Sequence, residues 1–484
     1  LLFGAEHNTG IRAGNNATVA VATGNGMALT VLTLPWRHSF VSTMASRFSM
    51  TTTTTKDGLL NARAHDEQDP LHRFRDAFHL VPARENAHHL QHKVYFCGNS
   101  LGLQPRKAWQ YLEEEMEDWA RLGVEGHFQG RRPWFHYHEQ FAPMSANVVG
   151  AEPHEVVMMN NLTVNLHLMM VSFYRPRQER FKVMIEADAF PSDYQVVESQ
   201  VRFHGYDPEQ AIVKLRPRKN EYLLRQEDIE DAIDWHGGQL ALVLLGAVNY
   251  YTGQYFALKA ITAAAHGVGA VAAFDLAHAA GNVIMHLHQW GVDFATWCTY
   301  KYLNSGPGAV GGVFVHERHH HNPQLPRFAG WWGHDAQSRF QMAHVFDPIP
   351  TAEGWQLSNA PVMNMAAHLA SLELFEKAGM KALRQKSEAL TAMLEEGIDR
   401  LSAAFPQREI GLITPREPNH RGAQLSIVVG VNGKALFDYL VENEVVADWR
   451  HPEVIRIAPV PLYNTFEDVW HFLRIMEQGL HKTT

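Results

Sequence analysis

The sequence predicts an α/β fold: a mostly parallel central sheet with helices on both faces, followed by a smaller α+β domain. Three observations predict it. Between about residue 160 and residue 315, short apolar runs alternate with helical patterns, as parallel strands joined by crossover helices require. The run at residues 240–245, LALVLL, is apolar throughout, as a central strand buried on both faces must be. After residue 362 the character changes. Leu383, Leu390, Leu394 and Leu401 recur at heptad-like spacing, and a strand pattern at 425–429 precedes a helical one at 435–443.

Composition narrows the class. At 484 residues the chain has room for two or three domains. A hydrophobic content of 46% with 19% charged residues is that of a soluble globular protein. The net charge of −9, without a basic stripe, argues against a nucleic-acid partner. No apolar run approaches the length of a membrane span. The two cysteines, Cys97 and Cys298, make no disulfide framework and fit a reducing, cytoplasmic setting. Histidines number 30, but they are scattered, and no HExxH or Cys/His ligand spacing appears, so no metal is expected. The run His319, His320, His321 reads as a solvated turn.

In chain order, residues 1–60 read as a disordered leader. Five threonines stand in a row at 51–55, and the first fifty residues hold one acid, Glu6, against Arg12, Arg37 and Arg47. That balance is similar to a mitochondrial transit peptide. The lack of an amphipathic pattern favours instead an upstream stretch ahead of a natural start at Met44 or Met50. Residues 61–125 form a segment expected to pack with the carboxyl-terminal domain. It holds the turn-rich loop FCGNSLGLQP at 96–105, then a helix. Pro105 suits the first helical turn, Trp109, Leu112, Met116 and Trp119 mark its apolar face, and Gly123 stops it.

Residues 126–360 carry the α/β domain. His127 and an Arg-Arg-Pro-Trp loop at 131–134 come first. NNLTVNLHLMMVSFY at 160–174 reads as a helix with Leu162 and Thr163 at its amino end, where free N–H groups and the macrodipole favour a phosphate. Plain N-capping is compatible with that role. A strand at 183–186 leads to Phe190, Pro191, Ser192 and Asp193, and the central strand leads to Gly246 and then NYYTGQ, which contains Tyr251. A crossover helix at 261–267 follows, then a strand at 270–274 that delivers Asp275, with His278 three residues on. Lys301 lies between Tyr300 and Tyr302, ahead of a glycine-rich turn and another strand-like run at 310–315. Trp331 and Trp332 and a turn with Ser358 and Asn359 complete the domain. The remaining domain, 361–484, carries Arg456 within VIRIAPVPLYN and closes with a helix at 465–480.

In an open α/β sheet, ligands bind outside the carboxyl ends of the strands, where Asp275 and Lys301 both fall. A lysine and an aspartate in one crevice suit pyridoxal 5'-phosphate. The amine can hold the cofactor as a Schiff base, and the carboxylate can keep its ring nitrogen protonated so that the ring accepts electrons. Spacing alone leaves the bland reading open, because a strand-end Asp and a Lys 26 residues later (301 − 275) occur in many α/β enzymes.

The wording of these stretches is more specific than their spacing. FDLAHAAGN, WGVDFATWCTYKYLN, RIAPVPLYN and GNSLG resemble kynureninase, a fold-type I pyridoxal phosphate enzyme, and the resemblance runs from about Val94 to about Leu480. It implies a fold-type I, PLP-dependent transferase-like architecture and a homodimer. The implied reaction is hydrolysis of L-kynurenine or 3-hydroxy-L-kynurenine to an anthranilate and L-alanine, in tryptophan catabolism and the route to NAD. It also implies roles. Lys301, Tyr300 and Asp275 would be catalytic. Leu162, Thr163, Phe190, Pro191, Ser192, Asp193, Gly246, His278, Trp331 and Asn359 would join them around the cofactor. Ser100, His127, Tyr251, Trp332, Ser358 and Arg456 would meet the substrate. Many relatives carry serine at the position of Gly246, which can supply no hydroxyl. A non-catalytic scaffold, a cysteine desulfurase-type lyase using Cys97 or Cys298, and a transaminase are the rival readings.

Overall fold

The apolar runs form the middle layer of the protein. In the computed structural model, the structure describes residues 54–85, 87, 90–342 and 344–483. The leader expected at 1–60 lies outside the described residues up to 53, and from Lys56 the chain is already a helix, Lys56–Gln68, capped by the Thr55 hydroxyl.

The strands, in order, are β1 (Val94–Tyr95), β2 (Val156–Met159), β3 (Lys182–Glu186), β4 (Ile212–Leu215), β5 (Leu240–Gly246), β6 (Val271–Asp275), β7 (Phe294–Cys298) and β8 (Gly311–Val315). The remaining ones are β9 (Ile410–Leu412), β10 (Leu425–Val429), β11 (Val445–Val446), β12 (Asp448–Arg450) and β13 (Val454–Ile457). A seven-stranded sheet has the order β2-β8-β7-β6-β5-β3-β4, and only β8 runs antiparallel to its neighbours. Its middle strands β5, β6 and β7 are buried along nearly their whole length, which is why they read as unbroken apolar runs. One face packs around Phe274, Ala295 and Val243, the other around Leu242, Ala273 and Phe294, so successive residues of each strand feed opposite cores. A second sheet, β12-β13-β10-β9, is antiparallel.

The described residues belong to one unit beginning at Thr52. The long helix Met380–Ala404 buries Leu383, Leu390, Leu394 and Leu401, the residues whose spacing predicts it. The amino-terminal segment joins the carboxyl-terminal part through parallel pairing of β1 with β11 and through the helix Lys56–Gln68, which packs on the closing helix Phe466–Lys482.

Two sequence expectations are overturned. The helix Arg106–Leu122 does not bury its apolar face: Trp109, Met116 and Trp119 are exposed, and the buried residues are Ala108, Tyr111, Glu115 and Asp118. The inward acids are satisfied. Glu115 accepts from Arg132 Nε (2.7 Å), Trp134 Nε1 (2.8 Å) and Tyr137 (3.2 Å), and Asp118 from the Arg131 backbone N–H at 2.9 Å. Hydrophobic periodicity cannot see such a polar core. The second is the histidine turn. His319 Nε2–H donates to Asp293 Oδ1 at 2.8 Å, and His320 is buried against the carbonyl of Val315.

Candidate active site

The carboxyl ends of β3, β5, β6 and β7 lie side by side, with Gly246 in register with Asp275 and Asp275 with Thr296. Above them opens a cavity of about 450 Å³. Asp275 ends β6 and Lys301 follows β7 by three residues; both line the cavity, as do Leu162, Thr163, Phe190, Ser192, Asp193, Gly246, His278 and Tyr300. Pro191 stands at the first position of the helix Pro191–Phe203 and does not line it, but it starts the turn that carries Ser192 and Asp193.

Each side chain is held by an identifiable local device. The Asp275 carboxylate accepts from the Ala277 N–H at 2.6 Å. Burial pushes its pKa up while the Lys301 ammonium pulls it down, and Asp193 is pushed well above the usual carboxylate range by burial and by Asp275. The proton therefore sits on Asp193, which donates to an ionised Asp275. Burial and Lys301 hold His278 well below the usual histidine range, so its ring is neutral. Its Nδ1 is buried without a hydrogen-bond partner among the described residues. Lys301 Nζ lies 5.8 Å from the Phe190 ring centroid and 5.9 Å from that of Tyr300. Burial raises the Tyr300 phenol, which keeps its proton.

The helix Leu162–Phe173 aims its amino end at the cavity, with the Asn161 side chain accepting from Val164 N–H and the Thr163 side chain exposed. Strand β8 passes so close behind that a Cβ on Gly311 would stand 3.0 Å from the Asn161 carbonyl carbon. The GNSLG loop acts from outside the cavity. Gly102 donates its N–H to the Tyr300 carbonyl at 2.8 Å, and a Cβ there would lie 2.5 Å from the Lys301 carbonyl oxygen. Only glycine lets the loop back the lysine turn this closely.

The remaining candidates lie outside the cavity of this chain. Ser100 is half-buried in its loop, and His127 packs edge-on to Trp134. Trp332 is buried against Phe135 and Arg339, Trp331 is half-exposed beside it, and Ser358 and Asn359 are exposed. Tyr251 lines a neighbouring cavity of about 280 Å³. Arg456 is buried one layer behind: its fork meets Asp448 at 3.0 and 2.9 Å, and Nη1 donates to the Tyr250 carbonyl at 2.5 Å.

Eight residues that line the cavity are not among the sequence candidates for it: Asn161, Glu186, Val248, Tyr250, Ala277, Cys298, Gly308 and Ala309. Glu186 carries a signal, an acid directly after the apolar residues Val183, Met184 and Ile185, and Tyr250 is hidden beside an identical neighbour. At the opposite edge of the sheet, Glu155, His288 and His316 bring ligand-type atoms within 4.8 Å of one another. Glu155 already accepts from the N–H groups of Glu152 and Glu317, and His288 shares a hydrogen bond with it, so the group reads as a clasp.

Comparison with known proteins adds a family. The Kynureninase C-terminal domain family model matches residues 383–476. A kynureninase of Myxococcus xanthus is 56% identical over 416 residues, 86% of this chain and 96% of the relative. One of Koribacter versatilis is 52% identical, over 84% of this chain and 95% of the relative. Among solved structures, the cysteine desulfurase of Thermococcus onnurineus aligns with a TM-score of 0.67 at 18% identity, over 81% of this chain and 95% of that one. A cysteine desulfurase of Escherichia coli aligns at 0.66 and 16%, over 86% and 99%. At such identities the likeness is one of fold.

Proposed function

The chain belongs to the kynureninase family, and from that premise we propose that it hydrolyses L-kynurenine and 3-hydroxy-L-kynurenine to anthranilate or 3-hydroxyanthranilate plus L-alanine. The observation that carries this reading is the cavity where Lys301 and Asp275 meet at the ends of adjacent strands.

The residues fit pyridoxal 5'-phosphate. A buried carboxylate, a lysine amine, an orphaned imidazole nitrogen and a helix amino terminus with a spare hydroxyl converge on one space. Lys301 Nζ would hold its carbonyl carbon, Asp275 its ring nitrogen, and Thr163 with the free N–H groups its phosphate. Phe190, on the side of Lys301, offers a face to the ring, while Ser192, Asp193 and His278 offer polar atoms to its substituents. Bound there, the cofactor supplies a ring that accepts the negative charge left at the substrate's α-carbon. Asp275 stays ionised because Asp193 holds the proton, so it can stabilise a cationic ring nitrogen. Lys301 Nζ takes the substrate's α-proton and returns it. Tyr300, whose phenol stays protonated, donates to the substrate or the phosphate.

Both cysteines speak against desulfurase chemistry, which needs a thiolate. Burial pushes Cys97 up to about 11 and also raises Cys298.

We further infer a homodimer. Trp109, Met116 and Trp119 leave one helix face apolar and exposed, and Trp331, Ser358, Asn359 and His127 stand clear of their own cavity. A second copy covering the tryptophans could bring such residues to its neighbour's site. Among the described residues no helix is long and apolar enough to cross a membrane, and the two free thiols support a cytoplasmic location. The test is an assay of purified protein with kynurenine, following anthranilate and alanine. Anthranilate and alanine should appear in equal amounts; loss of the amino group without alanine would refute the reading.

A further inference from the structure

Glu186 ends β3 at the edge shared with Gly246 and Asp275, and its side chain is 4% exposed. It lines two cavities, that of about 450 Å³ holding Lys301 and the neighbouring one of about 280 Å³. One carboxyl oxygen, Oε2, accepts from Asn249 Nδ2 at 3.3 Å. The other, Oε1, is buried and has no hydrogen-bond partner among the described residues. An unpaired buried polar atom is costly, and here it borders a space built to receive a ligand.

The Asn249 amide is not free to turn over. Its Oδ1 accepts from the Tyr251 N–H (3.0 Å), the Thr252 N–H (2.9 Å) and the Thr252 hydroxyl (3.1 Å), so Nδ2 must face Glu186. Oε2 is thereby fixed as an acceptor, and a proton on this carboxyl belongs on Oε1. Gly246 leaves the way clear: a Cβ built there would stand 3.6 Å from Oε2 and 3.9 Å from Oε1.

The charges nearby favour the neutral acid. Asp275 and Asp188 face Glu186 as carboxylates from β6 and the loop after β3, with the protonated Asp193 of the helix Pro191–Phe203 beside them. Among the described residues, Lys301 is the only cation lining the larger cavity. Tyr250 stands beside it, and Tyr251, Arg216, Glu221 and Tyr222 line the smaller cavity, where no described residue forms an ion pair with Glu186. Buried like charges cannot all ionise, and a bound phosphate adds more negative charge. Consistent with this, burial with Asp275 and Asp188 pushes Glu186 up to about 8.

We propose that Glu186 is a further cofactor-binding residue, a neutral carboxylic acid whose Oε1–H donates a hydrogen bond to an anionic oxygen of the cofactor held at Lys301. This rests on the reading of the cavity as a pyridoxal 5'-phosphate site.

The test titrates the full-length protein with pyridoxal 5'-phosphate at several pH values, comparing the dissociation constant of wild type, Glu186→Gln and Glu186→Ala. At neutral pH the Gln variant, which keeps a donor, binds as wild type does. The Ala variant binds about three- to tenfold more weakly, as loss of one neutral hydrogen bond predicts. As pH rises through about 8, wild type loses its donor and weakens relative to Gln; the ratio cancels titrations common to both. The infrared difference spectrum, wild type minus Glu186→Gln at neutral pH, shows the carbonyl band of a buried protonated carboxyl beyond that of Asp193, which both proteins share. A pH-independent ratio with full affinity in the Ala variant, or no such band, overturns the role of Glu186 alone. Failure of wild type to bind the cofactor overturns the site reading and this proposal together.

Discussion

Replacing Asp275 by asparagine keeps the side-chain shape and removes its charge. The geometry tolerates it, because the amide oxygen can keep the 2.6 Å bond from Ala277 N–H. What is lost is a carboxylate only 7% exposed, where water screens little. An ion pair at about 4 Å and an effective dielectric constant of about 20 is worth about 4 kcal/mol. That is a factor of about 10³ in the protonation equilibrium of the cofactor nitrogen, since about 1.4 kcal/mol is tenfold. We expect kcat to fall by about 10² to 10³, with weaker cofactor binding and an unchanged fold. The assay measures anthranilate release at saturating cofactor, with the cofactor affinity and Tm determined separately. Turnover within about threefold of wild type, with the cofactor bound, would refute the electron-acceptor argument.

Borohydride reduction of the cofactor-loaded protein should leave the label on one peptide, that containing Lys301; a label elsewhere rules the assignment out. Trp109→Glu with Trp119→Glu should shift the protein from dimer to monomer by sedimentation and lower activity in step, and a dimer unaffected by both changes would show that this face lies outside the contact. Glu115→Ala leaves Arg132, Trp134 and Tyr137 without their shared acceptor and should cost about 3–5 kcal/mol in urea unfolding; a loss under about 1 kcal/mol would mean the cluster is relaxed by water. 3-Hydroxykynurenine should exceed kynurenine in kcat/KM by about two- to tenfold, the worth of one hydrogen bond, with His127→Trp and Asn359→Thr together narrowing the gap. A wild type that prefers plain kynurenine contradicts this.

The fold was legible where burial is symmetrical. β5, β6 and β7 are enclosed on both faces, so their sequences are apolar without interruption and announce themselves. Asp275 and Lys301 were legible for a related reason: a charge at the end of such a run interrupts the pattern. Glu186 is the same kind of interruption, on a strand with a weaker apolar signal. The helix Arg106–Leu122 misled because its inward face is held by Glu115 and Asp118, whose worth lies in partners up to 22 residues away. Trp331, Ser358 and Asn359 are legible as motif residues, but their distance from the cavity depends on chain geometry that no local pattern encodes.

The loop behind Lys301 has a consequence for how the protein is made. Val94 and Phe96 reach the carbonyls of Glu444 and Val446, Ala458 reaches back to Phe96, and Gly102 reaches Tyr300. The segment emerges early from the ribosome, yet the partner of Gly102 lies 198 residues later in synthesis (300 − 102), and the strand that anchors the segment some 350 residues later (444 − 94). Contacts so distant in sequence form late. The lysine turn therefore gains its full backing only when the chain is nearly complete, and a nascent chain stalled before β11 would carry Lys301 on a turn that this loop does not yet support.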